Sequence, residues 1–375
     1  MKLAVVGRGL IGAAAARHLA GMGHEVALIG PDEPANFARH DGVFGSHFDE
    51  GRITRSLDSN PFWSEVNRAS IARYDEITAQ SGVDFYWEVG ALHIGLAEDE
   101  DIAAIGRIAA EAGIPCEAYT DAELAVRFPY LAIAAGTRGY FEPRNAGYIS
   151  PRRLVRAQTI AAERFGTRII NATALGISES ASGVTIRTTS GDVWAARALV
   201  AAGGHTESLL EQSLGFTVFA RTVALFRLGA AEVQRLSDMP SIRCFGPKGE
   251  TPYILPPIPY PDGQTWLKLG GDPVDTQLEN EAEIKDWFRS GGSGVVADML
   301  EQQILARIPA LAIEERRAVP CMTTFTRSGL PCIGPLSEHV SVASGGCGAG
   351  AKCSDELGRL GAMALLGEVR QELAP

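Results

Sequence analysis

The stretch KLAVVGRGLIGAAAARHLAGMGHEVALIG, residues 2–30, decides how the rest of the chain is read. Lys2 to Val6 is a short apolar run, Leu10 to Met22 is alanine-rich with helical character, and Glu25 to Ile29 is apolar again. That order predicts a strand, a helix and a second strand beside the first. The turn into the helix reads Gly7-Arg8-Gly9-Leu10-Ile11-Gly12. Glycines at this spacing let backbone amides and a helix N-terminus approach a pyrophosphate, so at the first strand-to-helix turn they predict a dinucleotide site. The acid that usually ends the second strand and holds a ribose hydroxyl is missing, because Gly30 stands there. Asp32 and Glu33 are the candidates to replace it, unless both serve only the turn Gly30-Pro31-Asp32-Glu33-Pro34.

Further along, Pro151 to Phe165 has the pattern of an amphipathic helix, and Ala172 to Ile177 and Val184 to Thr188 read as strands either side of the turn Ser180 to Gly183. Ala198 to Gly204 is an apolar strand ending in glycines, which suits a backbone passing close to a cofactor or simply a strand end. From Phe216 to Ala318 the rhythm of strands changes and prolines crowd Pro252 to Pro261. The strand Val340 to Ala343, the glycine loop Gly345 to Gly350 and a helix from Ser354 to Leu366 return to the first pattern. The nucleotide domain is therefore expected to be discontinuous, over 1–80, 147–215 and 319–375, with the second domain over 81–146 and 216–318.

A length of 375 residues with 46% hydrophobic content supports two domains. The formal net charge of -11 and a pI near 5.2 exclude a surface that tracks nucleic-acid phosphates, but a local Arg or Lys pair can still capture a small anion. Six dispersed cysteines form no CxxC pair and no zinc-type spacing, so no metal site is expected and a reducing cytoplasm fits best. Glycines interrupt the N-terminal apolar run, which reads as fold and not as a secretion signal. No apolar run approaches the roughly 18 to 20 residues of a membrane span.

Four separated segments then coincide: Gly7 to Gly12, Gly45-Ser46-His47-Phe48-Asp49-Glu50-Gly51-Arg52-Ile53-Thr54-Arg55, Cys321-Met322-Thr323-Thr324, and Gly345 to Lys352. With Phe141-Glu142-Pro143 and Gly147 between them, the chain resembles the monomeric sarcosine oxidase and N-methyltryptophan oxidase group of D-amino-acid-oxidase-like flavoproteins over essentially its whole length. The resemblance implies an α/β fold: a Rossmann-type FAD-binding domain of glutathione-reductase-like type, and an α+β substrate domain around a mixed sheet. It implies hydride loss from the carbon beside a small, amino-acid-like amine to the flavin, hydrolysis of the imine, and return of electrons to dioxygen as hydrogen peroxide.

Carried over residue by residue, the resemblance places Cys321 at the flavin thioether, although a buried free thiol is the commoner fate of cysteine. Lys268 is implied beside flavin N5 and Arg52 beside the flavin ring, as catalytic residues. Arg55 and Lys352 are implied to grip the substrate carboxylate, and Tyr253 to line the pocket. If the arginine segment is helical, Arg52 and Arg55 share one side of it. Gly7, Gly9, Leu10, Ile11, Gly12, Asp32, Ser46, Arg52, Cys321, Gly346, Gly348, Gly350 and Lys352 are the expected cofactor contacts. No role follows for His47, since the family's histidine falls nearer Phe48. Asp272 stands at or next to a family histidine, and would select a substrate with an extra cation or donor unless it faces solvent in a turn. Thr323 replaces a bulkier aromatic, so the amine itself is left open.

Three rival readings follow from the same residues. A dehydrogenase on this fold would pass electrons to a quinone or carrier, a nicotinamide-dependent reductase would exploit Gly30, and a non-catalytic flavin subunit would not keep both Lys268 and Lys352. Nothing in the sequence fixes the oligomeric state.

Overall fold

The computed structural model describes residues 1–246 and 251–375. Lys2–Val6 and Glu25–Ile29 pair in parallel around the helix Leu10–Gly21. They sit inside a six-stranded sheet in the order Cys332–Pro335, Val340–Ser344, Arg197–Val200, Lys2–Val6, Glu25–Ile29, Arg168–Ile170. Every neighbour is parallel except the first pair, which closes that edge antiparallel.

Strand side chains alternate between the two faces, and each face has its own cover. Leu3, Val5, Val26, Leu28 and Leu199 pack against the helices Leu10–Gly21 and Ser354–Leu366. Ala4, Val6, Ala27, Ile29, Ala198 and Val200 pack against Val184, Ile186, Val193 and Ala195, which belong to the antiparallel sheet Ala174–Ser180, Gly183–Thr188, Gly191–Ala195. Burial on both faces is why these strands read as continuous apolar runs. The two helices touch closely, because a Cβ on Gly358 would come within 2.7 Å of the Ile11 carbonyl oxygen.

A polar pin holds the helices together beneath that contact. The Asp355 carboxylate is buried and accepts from Arg17 Nη2 at 2.8 Å, Gln158 Nε2 at 2.8 Å and Arg73 Nε at 2.6 Å, with His18 Nε2 at 3.1 Å. Burial alone would raise this carboxyl, but bonds and charge from His18, Arg17 and Arg73 overrule it and hold it far below the carboxylate range.

The second sheet is mixed and has nine strands, in the order Thr276–Gln277, Thr217–Leu228, Thr265–Gly270, Tyr253–Pro259, Ser241–Cys244, Ala91–Leu96, Thr137–Glu142, Glu117–Thr120, with Ile313–Phe325 paired along Thr217–Leu228. Only Ser241–Cys244 and Ala91–Leu96 run parallel. Val296, Leu300 and Ile304 of the helix Gly294–Arg307 cover one face through Phe226, Leu267 and Leu269. An α/β Rossmann-type domain beside a mixed-sheet α+β domain is thus the fold class.

Two local expectations are corrected. The boundary at 318/319 falls inside a strand, because Ile313–Phe325 pairs in one register from Glu315 to Phe325, shifts register only at Glu314, and carries Cys321 on the second sheet. The arginine segment is not helical: Arg52–Thr54 is a strand paired with Gly147–Ile149, which also pairs with Tyr86–Trp87. Ladder hydrogen bonds to residues far along the chain outbid local helix formation there.

Candidate active site

Gly7 and Gly12 are required by contact as well as by conformation. Gly7 has φ +110°, and a Cβ on Gly12 would collide with the Gly7 carbonyl. Gly9 caps the helix without a side-chain bond, so the first helical amides point at the cleft in front of them. That cleft is lined by Gly7, Gly9, Leu10, Ile11 and Gly30 at one end. It runs on to Ser46, Arg52 and Cys321 at the other, with Gly346, Gly348 and Gly350 along its wall. A long cleft that begins at uncapped amides and ends at a thiol fits an extended dinucleotide such as FAD. His205 and Glu281, which sequence reasoning missed, also line it, and His205 holds Glu281 down to about 2.

Gly30 leaves no room for the missing ribose acid, since a Cβ there would lie 2.6 Å from the Arg8 backbone nitrogen. Asp32 does not supply it either. Its carboxylate is held by Arg8 and by Asn171, whose Oδ1 also accepts from the Asp32 amide at 3.0 Å, and its side chain is 68% exposed. Glu33 is likewise taken, by Arg152 at 2.6 and 2.7 Å. A half-buried His47 completes this wall, pushed down to about 3 by desolvation and then by Arg152, Arg8 and Arg52, so it is a neutral imidazole.

At the far end, Arg52 Nη2 donates to Cys321 Sγ at 3.3 Å and to Ser46 O at 3.2 Å. Lys268, from the strand Thr265–Gly270, is fully buried. It donates to Gly51 O at 2.8 Å and to Asp49 Oδ2, which also accepts from Arg52 Nη1. Its Nζ lies 5.7 Å from the centre of the Tyr253 ring. Burial and then Arg52 push the Lys268 ammonium down to about 8.

A second cationic group lies one strand-length away. Arg55 leaves the strand on the opposite side from Arg52, as residues three apart in extended chain must, at about 10 Å. Arg55 Nη2 donates to Asp58 Oδ2 at 2.5 Å, and Arg243 Nη1 stands 3.5 Å from the same oxygen. Lys352 joins them by charge, its Nζ donating to Ala349 O at 3.1 Å. Burial and then Arg55 push Lys352 down to about 7, whereas Asp58 is lowered to about 2 by Arg55 and Arg243 against its burial. Arg55 Nε is buried with no partner among the described residues. Below them, Glu142 accepts from the Ser56 and Leu57 amides at 2.9 and 3.1 Å and faces His93 at 3.2 Å, bracing the loop that carries Arg55.

Asp272 belongs to neither group. Its oxygens accept from the Thr222 amide at 2.7 Å and the Val274 amide at 2.9 Å, so it fixes the end of its strand and is not available to select a substrate. Asp49, Asp58 and Arg243 were not singled out from sequence. Asp58 had a signal, an acid three residues after Arg55, and Asp49 had a weaker one: Arg52 and Lys268 are two site cations to which the sequence motifs assign no anion. Arg243 had none.

A family model described as FAD dependent oxidoreductase matches residues 2–363. The chain belongs to that family. N-methyl-L-tryptophan oxidase of Salmonella arizonae is 25% identical over 309 residues, which is 82% of this chain and 79% of that protein. Among solved structures, the open form of NikD, an unusual amino acid oxidase essential for nikkomycin biosynthesis, superposes with TM-score 0.77 at 18% identity, covering 100% of this chain and 96% of that one. L-proline dehydrogenase from P. horikoshii gives 0.73 at 17%, covering 99% and 94%. At such identities these two likenesses speak for the fold alone. No described helix is long and apolar enough to cross a membrane, and no described group of residues could hold a metal.

Proposed function

We propose that this FAD-dependent oxidoreductase oxidises the carbon–nitrogen bond of a small, N-substituted amino acid to an imine, with dioxygen taking the electrons to give hydrogen peroxide. One observation carries the reading: the strand Arg52–Thr54 separates two buried cationic groups, one against the cleft at Cys321 and one around an Arg55 guanidinium with an unpartnered N–H. FAD supplies the two-electron acceptor when bound, held by the Gly7 to Gly12 turn and the Gly346 to Gly350 loop. Cys321 is assigned the covalent link, with Arg52 Nη2 donating to its sulfur. Arg55 and Lys352 receive the substrate carboxylate through charge-assisted bonds, while Tyr253 shapes the pocket between the groups. Lys268 and Arg52 present positive charge where the electrons arrive. The similarity to N-methyl-L-tryptophan oxidase, named for the oxidation of an N-substituted amino acid, supports this reading. Six free thiols agree with a reducing, cytoplasmic setting.

A second reading, transfer of electrons to a quinone or carrier, is favoured by the Asp49 carboxylate bonded to Lys268, which offsets the charge available to oxygen. The deciding experiment is a peroxide-coupled screen of N-methyl, cyclic and D-amino acids. Peroxide formed in step with amine loss supports the oxidase. Amine oxidation that needs an added dye and yields no peroxide refutes it.

A further inference from the structure

Lys268 and Arg52 pose an electrostatic problem. Both point at one place, Lys268 is fully buried, and two cations so close at a buried position repel strongly. A single carboxylate answers both. Asp49 Oδ2 accepts from Lys268 Nζ and from Arg52 Nη1, while Oδ1 accepts from Tyr260 Oη at 3.1 Å and from the Glu50 amide at 2.8 Å. Asp49 is 7% exposed, and its own amide donates to His47 O at 2.8 Å, which fixes the turn beneath it. Four donors on two oxygens leave the side chain one position.

Resting on the reading that Lys268 faces the flavin, we propose that Asp49 is a positioning residue that keeps Lys268 protonated and aimed, and so sets the positive charge the protein presents to FAD. Asp49 is the one carboxylate bonded to Lys268 among the described residues. Arg52 opposes the ammonium, and the support it receives from Tyr253 and Cys321 does not outweigh burial and Arg52. Tyr260 reaches it only through Asp49. Burial and Arg52 push the ammonium down, and the Asp49 carboxylate bonded to Lys268 Nζ supplies the opposite charge. Asp49→Asn keeps the size and one acceptor oxygen but removes that countercharge. Lys268 then loses its proton within the neutral range, and the charge at the flavin becomes dependent on pH.

The test uses the FAD-loaded protein and sulfite, an anion that adds reversibly to oxidised flavins and binds more tightly where positive charge is near. Its dissociation constant is measured from about pH 6 to about pH 8.5, and each variant is expressed relative to wild type at the same pH, which cancels the ionisation of sulfite itself. For Asp49→Asn the ratio should rise about tenfold across the range, the effect of moving one group by about one pKa unit. The double variant Asp49→Asn with Lys268→Met strands no lysine, keeps the charge balance of the site, and should give a ratio independent of pH. A ratio for Asp49→Asn that does not change with pH overturns the proposal, since a merely structural role gives a constant offset. A ratio that still rises in the double variant overturns it too, because the titrating group is then not Lys268. Lys268→Met alone separates this proposal from the reading beneath it. Unchanged sulfite affinity there removes Lys268 from the flavin and overturns both, whereas a changed affinity with a flat Asp49→Asn ratio overturns the role of Asp49 alone.

Discussion

Lys352 is the residue whose environment makes the sharpest statement about pH. It is pushed down to about 7 by burial and Arg55, so in the free protein it holds its proton below that value and loses it above. Capture of a carboxylate should therefore weaken as pH rises past about 7. We expect kcat/KM to fall on that limb in wild type, and Lys352→Arg, whose guanidinium stays charged, to shift the fall to higher pH. An unchanged profile would take Lys352 out of substrate binding. At the same scale, acid precipitation reports on Cys321: flavin should stay with the wild-type pellet and leave with the supernatant in Cys321→Ala, because only a covalent link survives unfolding. Which residues were legible follows from how they are held. Cys321, Arg52, Arg55 and Lys352 sit in compact motifs that a chain displays openly. Asp32 and Asp272 looked available because an acid in a glycine-containing turn reads as a free group. Arg8 and Asn171 took one, and two backbone amides took the other. Asp49 and Arg243 acquire meaning only when distant strands bring their partners to them.

The element that positions the cofactor is the turn into the first helix, and it has no slack. A methyl group at residue 12 would enter the Gly7 carbonyl, so Gly12→Ala should distort the turn at a cost of about 1 to 3 kcal/mol and deprive the pyrophosphate of its amides. The expected outcome is a cooperative fold, seen by circular dichroism, with most of the flavin absorbance lost after desalting. Full flavin content in that variant would contradict the proposed cradle. The helices and strands around this turn were readable because 3.6-residue and two-residue apolar periods are local properties of sequence. The strand Ile313–Phe325 was cut in the wrong place because its polar alternation, Glu314, Glu315, Arg316 and Arg317, hides a partner strand that lies far back in the chain. The arginine segment, whose conformation the sequence left open, is made a strand by a partner almost a hundred residues on.

At the scale of the whole molecule, the FAD-binding half depends on Asp355, which joins the helix Ser354–Leu366 to three other helical segments through Arg17, Arg73 and Gln158. Removing one partner of a buried, bonded charge costs about 3 to 5 kcal/mol, so Asp355→Asn should lower the melting temperature by many degrees. The folded carboxyl is depressed below its unfolded value near 3.9, so its contribution is complete above about pH 4 and is lost as pH falls below that. The gap in stability between wild type and variant should accordingly narrow in acid. A gap that is constant with pH would assign Asp355 a packing role without its charge.

The central claim joins the two cationic groups: an amine held by its carboxylate at Arg55 and Lys352 gives up electrons to a flavin that lies beside Arg52, Lys268 and Cys321. It is tested most directly by mixing the FAD-loaded protein anaerobically with a reactive amino acid and with its decarboxylated counterpart, and following the loss of flavin colour. Losing one charge-assisted pair is worth about 1.5 to 3 kcal/mol, so the decarboxylated amine should reduce the flavin roughly ten- to a hundredfold less efficiently, and Arg55→Ala should abolish most of that difference. Equal reduction by both amines in wild type would contradict the account.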